Sequence, residues 1–267
     1  MDKLLYRLVK KHVSGTTMNS ALKRAKELNR KDSHASITFL SNATDSKSKA
    51  RYIASTYQEL ARQIARLGIK ASIQVPSAQL CINRESNEPG ENLRDVISTA
   101  NKYGVFVWIE IPDGNAEYLN AVSGMRGCGV AIPASDISTC LKGCKNVKAV
   151  KIIFNEAESS AKVRDRDIAS LRTLSKRISN IVLLAPPESL VSKSLSDSDM
   201  RKSIIFEFRL GQKSRSIKRI VKRKARLSTY LPFGKDWHAY AMNNVPEGYV
   251  RFITGKLLGT EGGDADA

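Results

Sequence analysis

The chain has 267 residues, 42% of them hydrophobic, and carries 44 lysines and arginines against 26 aspartates and glutamates, a net charge of +18. That length can bury a full core as one large α/β domain or two small ones, and no apolar run nears the roughly 20 residues that span a bilayer. Cys81, Cys128, Cys140 and Cys144 form no C-x-x-C pair, and no histidine stands at zinc-ligand spacing, so they read as reduced structural thiols of a cytosolic protein.

The opening MDKLLYRLVKKH has too short an apolar core for a signal peptide and reads as a short amphipathic helix. Beyond it, short β-rich runs alternate with longer helical stretches. Ile37 to Leu40 is the first strand signal, and Lys47 to Leu67 after it is helical. Ile69 to Val75 is the second strand, followed by a polar loop and a helix from Glu91 to Tyr103. Gly104 to Ile111 (GVFVWIEI) is a nearly continuous apolar run, as expected of a strand covered on both faces. Asp113-Gly114 breaks it before a short helix over Asn115 to Met125. Gly129 to Ile132 and Val147 to Phe154 are the fourth and fifth strands, separated by a short helix after Asp136. Val163 to Ile178 is helical, with an apolar stripe at Ile168, Leu171, Leu174 and Ile178. Ile181 to Ala185, Ser203 to Phe208 and Arg226 to Leu231 complete the strands.

Eight strands separated by helices predict an α/β fold, a single (β/α)8 barrel, with an open doubly wound sheet as the alternative. The absence of Gly-rich phosphate fingerprints weakens that alternative. The expected organisation is an N-terminal helical extension over 1–35, the barrel over 36–258, and a disordered acidic tail over 259–267. In such a barrel the site lies at the C-terminal strand ends. This points to Ser41, Asn42, Gln74, Glu110, Pro133, Asn155, Glu156, Pro186 to Glu188, Arg209 and the segment from Tyr230. His12, His34 and His238 do not all fall at strand ends, so no nucleophile–histidine arrangement can be assembled, and no metal-ligand spacing recurs.

Tyr230 to Glu247 reads YLPFGKDWHAYAMNNVPE, a strand ending in Pro-Phe-Gly and then a helix with Trp237, Tyr240 and Asn244 on one side. This segment resembles the last strand and helix of the proline dehydrogenase family, Y-x-P-[FY]-G-x-x-W-x-x-Y-x-x-R-R-x-x-E. Further blocks resemble the family in the same order. These are Val13 to Ser41, the helix leading into VFVWIEI, VKAVKIIFNE at Val147 to Glu156, and SIIFEFRLG at Ser203 to Gly211. The resemblance implies a barrel holding FAD over its strand ends, which oxidises L-proline to pyrroline-5-carboxylate and passes electrons to a quinone.

On that resemblance the catalytic positions are Glu110, Tyr230, Tyr240, Asn243, Asn244 and Glu247, and the cofactor-binding positions are Lys148, Lys151, Glu188 and Arg209. Lys148 stands where the family has an arginine approaching the flavin, and Lys151 keeps the lysine of the fifth-strand motif. Several positions depart from the pattern. The arginine pair that holds the substrate carboxylate is Asn243 and Asn244, Glu110 replaces an aspartate, and no lysine ends the second strand, which reads Ser72-Ile73-Gln74-Val75-Pro76. The fourth-strand glutamine is Pro133, the sixth-strand T-H-[DN] is Pro186-Pro187-Glu188, and the glutamine of E-F-Q is Arg209. Impaired or altered proline chemistry is the expectation that follows.

Between Arg201 and Arg226 lie eleven lysines and arginines against one carboxylate, Glu207. Ile217, Ile220, Val221 and Leu227 would form the inward stripe of a helix over Lys213 to Leu227, leaving Lys218, Arg219, Lys222 and Arg223 outward. This is either a solvated outer helix or a footprint for a polyanion, nucleic acid or an anionic membrane surface. The alternative function is therefore a non-catalytic basic barrel with an acidic partner. The expected location is cytoplasmic, with a peripheral place at the inner face of the membrane as its variant.

Overall fold

The computed structural model describes residues 11–80, 89–111, 116–137, 147–155, 165–212, 214–237 and 240. Eight strands lie in sequence order around one sheet: β1 (His34–Phe39), β2 (Ala71–Pro76), β3 (Val107–Glu110), β4 (Cys128–Pro133), β5 (Ala149–Ile153), β6 (Asn180–Leu184), β7 (Ile204–Arg209) and β8 (Arg226–Phe233). Every neighbouring pair is parallel, and β8 returns to β1 with Ser36 opposite Tyr230 and Phe39 opposite Phe233. The sheet is a closed barrel, and the open-sheet alternative is overturned.

Helices form the outer layer among the described residues: α1 (Met18–Asn29), α2 (Lys47–Arg66), α3 (Glu91–Lys102), α4 (Ala116–Ser123), α5 (Asp165–Arg177), α6 (Glu188–Ser196), α7 (Ser198–Ser203) and α8 (Arg215–Lys222). The longest shows why. Ser46 caps α2 by accepting a hydrogen bond from the Lys49 amide, and Ile53, Tyr57, Leu60, Ala61 and Ile64 recur at three- and four-residue spacing on its buried face. Burial of each such Leu or Ile contributes about 1.5–3 kcal/mol. Leu60→Ala would remove about 2–5 kcal/mol, because the cavity adds to the lost transfer energy. The helix α1 lies within the expected N-terminal extension, yet it packs against β1 and β8 through Ala21, Leu22 and Ala25. It thereby covers the seam where the barrel closes.

Two strand boundaries differ from the sequence reading for identifiable reasons. The third strand starts at Val107 rather than Gly104, because Gly104 at φ +68° ends α3. The Val105 amide bonds to Ala100 O and the Gly104 amide to Asn101 O, which is the Schellman pattern that satisfies the last helical carbonyls. The first strand begins at His34, two residues inside the expected extension.

Alternation along the strands separates two cores. The larger lies between sheet and helices, with Ile37, Ile73, Val107, Ile109, Val130, Ile152 and Leu183 among its members. The second fills the barrel interior with Trp108, Ala131, Ala149 and Val182. Gly129 makes room for Trp108, since a Cβ there would sit 2.7 Å from Trp108 Cζ3 and 2.9 Å from Ala149 Cβ. The rest of the interior is polar, and that determines the site above it.

Candidate active site

The two-residue period places Ser36 and Thr38 of β1, Gln74 of β2, Trp108 and Glu110 of β3, Lys151 of β5, Glu207 and Arg209 of β7, and Ser228 and Tyr230 of β8 on the inner face. At mid-barrel Lys151 Nζ donates to Glu207 Oε2 at 2.7 Å, Ser36 Oγ at 2.9 Å and Gln74 Oε1 at 2.9 Å. All three ammonium donors have acceptors, and Ser228 Oγ supports Glu207 Oε1 at 2.9 Å. The Lys151 ammonium also lies 5.3 Å from the Trp108 ring centre and 6.0 Å from that of Tyr230. Burial pulls the Lys151 pKa down, and the Glu207 carboxylate opposes that shift.

One step toward the mouth, Gln74 uses its other end to donate to Glu110 Oε2 at 2.8 Å. Gln74 thus joins the buried pair below to a carboxylate at the strand ends. Burial raises the Glu110 pKa, while the Gln74 hydrogen bond and the charges of Lys151 and Arg209 hold it back. Above this layer a cavity of about 250 Å³ opens, lined by Thr38, Gln74, Glu110, Arg209, Tyr230, Asp236 and Tyr240 among others. Arg209 Nη2 donates to Phe154 O at 2.9 Å, which orients the guanidinium. The Tyr230 and Tyr240 rings lie 6.3 Å apart at 37°, and burial raises both phenol pKa values, so both remain protonated donors at neutral pH.

The rim at β1 is fixed by a separate network. The Tyr57 hydroxyl reaches Gln79 Oε1 at 2.9 Å, and Gln79 Nε2 donates to Phe39 O and Ser41 O at 3.1 and 2.8 Å. The Asn42 amide meets Asp236 Oδ2 at 3.4 Å, tying that rim to the segment after β8.

The structure sorts the residues expected from sequence. Glu110, Tyr230, Tyr240 and Arg209 meet at one cavity together with Gln74, Ser41 and Asn42. Asn243, Asn244 and Glu247, together with Glu156, lie outside the described residues. Pro133 ends β4 but does not line the cavity. Two cofactor assignments are corrected. Lys148 is exposed and precedes β5, at the opposite end of the barrel from the cavity. The Glu188 carboxylate accepts from the Arg215 amide at 3.1 Å, so it caps α8 on the outside instead of facing the mouth. A third, Lys151, is committed below the cavity to Glu207.

The basic run is also shorter than expected. Its helix spans Arg215–Lys222, and Val221, placed on the inward stripe, is 61% exposed. Lys218, Arg219, Lys222 and Arg223 are exposed as expected, and Arg219 Nη1 donates to Ser192 Oγ at 3.0 Å. Arg226 begins β8 and is bound to Lys202 O and Ser203 O at 3.0 and 2.7 Å, which removes it from that face.

Sequence reasoning missed Glu207 as a site-supporting residue, counting it only as the lone acid in a basic run. A charge inside SIIFEF at the same parity as Arg209 is the signal that places it in the interior. Gln79, Tyr57 and Asp236 carry no comparable signal.

No protein-family model matches the chain. It is 25% identical over 260 residues to proline dehydrogenase 1 of Bacillus subtilis (strain 168), a match covering 89% of this chain and 86% of that protein. The protein of the same name from Bacillus subtilis subsp. natto matches at the same identity and coverage. Among solved structures, proline utilization A from Bdellovibrio bacteriovorus superposes with a TM-score of 0.69 at 16% identity, over 98% of this chain and 35% of that one. Proline utilization A from Corynebacterium freiburgense gives 0.63 at 12% identity, over 96% of this chain and 32% of that one. At those identities the structural likeness speaks for the fold, and the chain spans about a third of the length of those two proteins. A curated relative along most of both chains and a closed eight-stranded barrel agree. The chain is a closed eight-stranded parallel barrel similar to proline dehydrogenases along most of its length.

Proline dehydrogenases are generally FAD-dependent. Of the four residues expected to hold the flavin in this chain, Arg209 lines the cavity and Lys148, Lys151 and Glu188 do not. A cavity of about 250 Å³ is also below the roughly 300–1,000 Å³ usual for drug-sized ligands. No helix among the described residues is long and apolar enough to cross a membrane, and no cluster of three potential metal ligands occurs among them.

Proposed function

We propose that this divergent barrel binds a small amino acid, L-proline or a close relative, in the strand-end cavity, and that the family's FAD-dependent proline oxidation is impaired or altered in it. The observation that carries this reading is the placement of Glu110 and Arg209 around one small cavity, with Tyr230 and Tyr240 beside them. Substrate-sized space and opposite charges persist where the proline dehydrogenase family would hold its substrate. The residues assigned to the flavin are dispersed, and the neutral amides Asn243 and Asn244 replace an arginine pair. A charge-assisted arginine–carboxylate contact is about twice as strong as a neutral hydrogen bond, so their loss weakens carboxylate binding substantially.

Three measurements on the purified protein test this reading: L-proline binding by calorimetry, the visible spectrum with and without added FAD, and proline-dependent reduction of a quinone acceptor. The expected result is measurable proline binding with weak or absent flavin retention and slow turnover. Where turnover is measurable, Asn243→Arg with Asn244→Arg should lower KM by returning charge to the carboxylate. A tightly flavin-bound protein with fast turnover would contradict the impairment, and absence of binding to any small amino acid would contradict the substrate class.

A second reading is favoured by one observation, the exposed cationic cluster Lys218, Arg219, Lys222 and Arg223 around α8 beside the exposed Val221. In that reading the barrel is a binding module for a polyanion. An anionic membrane surface also fits a cytoplasmic protein placed peripherally where a quinone would be met.

A further inference from the structure

We infer that Arg209 is the carboxylate anchor of the strand-end cavity, and that Glu110 receives the amine of the same zwitterion. This rests on the cavity being an amino-acid site.

Arg209 shares strand parity with Glu207 and Ile205, so its side chain points into the mouth. Its one side-chain hydrogen bond among the described residues runs from Nη2 to Phe154 O at 2.9 Å. That bond fixes the plane of the guanidinium and uses one of its five N–H donors, which leaves the fork able to meet a carboxylate with two parallel bonds. Glu110 is held differently. Gln74 secures Oε2 at 2.8 Å, and Gln74 is itself held by Lys151 at 2.9 Å. The acid therefore stands on a chain of hydrogen bonds rising from the buried pair.

Arg209 and Glu110 line the same cavity, and the charge of Arg209 acts on Glu110, yet the two form no direct ion pair among the described residues. A ligand bearing both charges satisfies each of them. A ligand with only one leaves the other partly desolvated and unpaired, which is costly. Tyr230 and Tyr240 supply ring surface and hydroxyl donors beside the charged pair. The chain has lost positive charge at Asn243 and Asn244 and gained it at Arg209, so carboxylate recognition has moved from the closing helix to the seventh strand.

Calorimetric titration of the full chain with L-proline, L-prolinamide and cyclopentanecarboxylate tests the assignment. The wild type should bind L-proline at least about 30-fold more tightly than either single-charge analogue. Arg209→Gln should lose at least about 30-fold for L-proline and leave L-prolinamide unchanged, with Arg209→Lys in between. Glu110→Gln should lose affinity for L-proline while keeping cyclopentanecarboxylate, and it carries the test should Arg209→Gln fail to fold. Wild-type affinity for L-proline in a folded Arg209→Gln overturns the anchor and leaves the amino-acid site standing. Binding of no amino acid by the wild type overturns both.

Discussion

Lys151 Nζ lies 2.7 Å from Glu207 Oε2 in the middle of the barrel, with both side chains almost wholly removed from solvent. The desolvation cost of two such charges rivals their attraction, so the pair adds little net stability over apolar side chains of similar volume. Removing one partner is different, because it strands a buried charge. Lys151→Met or Glu207→Leu alone should cost about 3–5 kcal/mol in urea unfolding, whereas the double variant should recover most of that loss. Additive losses in the double variant would show that the two residues act independently.

Glu110 makes stability depend on pH. Its folded pKa lies above the ordinary glutamate value of 4.5, with burial as the leading cause. In that window the folded state binds more protons than the unfolded state, so the stability Glu110 contributes is full below the ordinary value and is lost as pH rises through the raised folded one. Melting temperatures of wild type and Glu110→Gln measured from pH 4 upward should therefore diverge, with the wild type falling relative to the variant. Parallel curves would mean that Glu110 titrates normally.

Gly129 is a packing requirement of the interior. A methyl group would approach Trp108 Cζ3 to 2.7 Å and Ala149 O to 2.9 Å, and neither ring nor backbone yields easily. Gly129→Ala should cost about 1–3 kcal/mol. It should also shift Trp108 emission, which a second tryptophan background (Trp237→Phe) would isolate. An unchanged melting temperature would show that the ring has room to move.

The fold was legible because eight apolar runs at regular spacing alternate with helical stretches, and closing the sheet in sequence order buries the apolar face of each run under the helices. Glu110, Arg209 and Tyr230 were legible as strand-end residues for the same reason. Lys148 was misplaced because the comparison of VKAVKIIF with the family motif fixes no register, while the pleat does. Lys151 shares its face with Ala149 and Ile153, and Lys148 falls before the strand. Glu188 looked like a site acid at the end of β6, but its carboxylate accepts from the Arg215 amide in the first turn of α8, where a helix N-terminus attracts negative charge. The roles of Gln79 and Asp236 depend on contacts 38 and 194 residues apart in the chain, which no local pattern encodes.

The outer cations offer a separable test. Changing Lys218, Arg219, Lys222 and Arg223 to Gln should leave folding within about 0.5 kcal/mol, since all four are exposed. If α8 meets a polyanion, the log–log salt slope should lose up to about 0.9 per neutralised phosphate on duplex DNA. Heparin retention, duplex gel shifts and pelleting with anionic vesicles separate nucleic acid from membrane. Equal behaviour of both proteins in all three would make the cluster a solvated face.

The position of a bound small zwitterion distinguishes an Arg209 anchor from any other. A crystal structure of the protein with L-proline reads this directly. The expected electron density places the carboxylate within hydrogen-bond distance of the Arg209 guanidinium and the ring nitrogen against Glu110, with Tyr230 and Tyr240 beside the ring. Proline held with its carboxylate on Asn243 and Asn244, away from Arg209, or a cavity left empty at saturating L-proline, would contradict it.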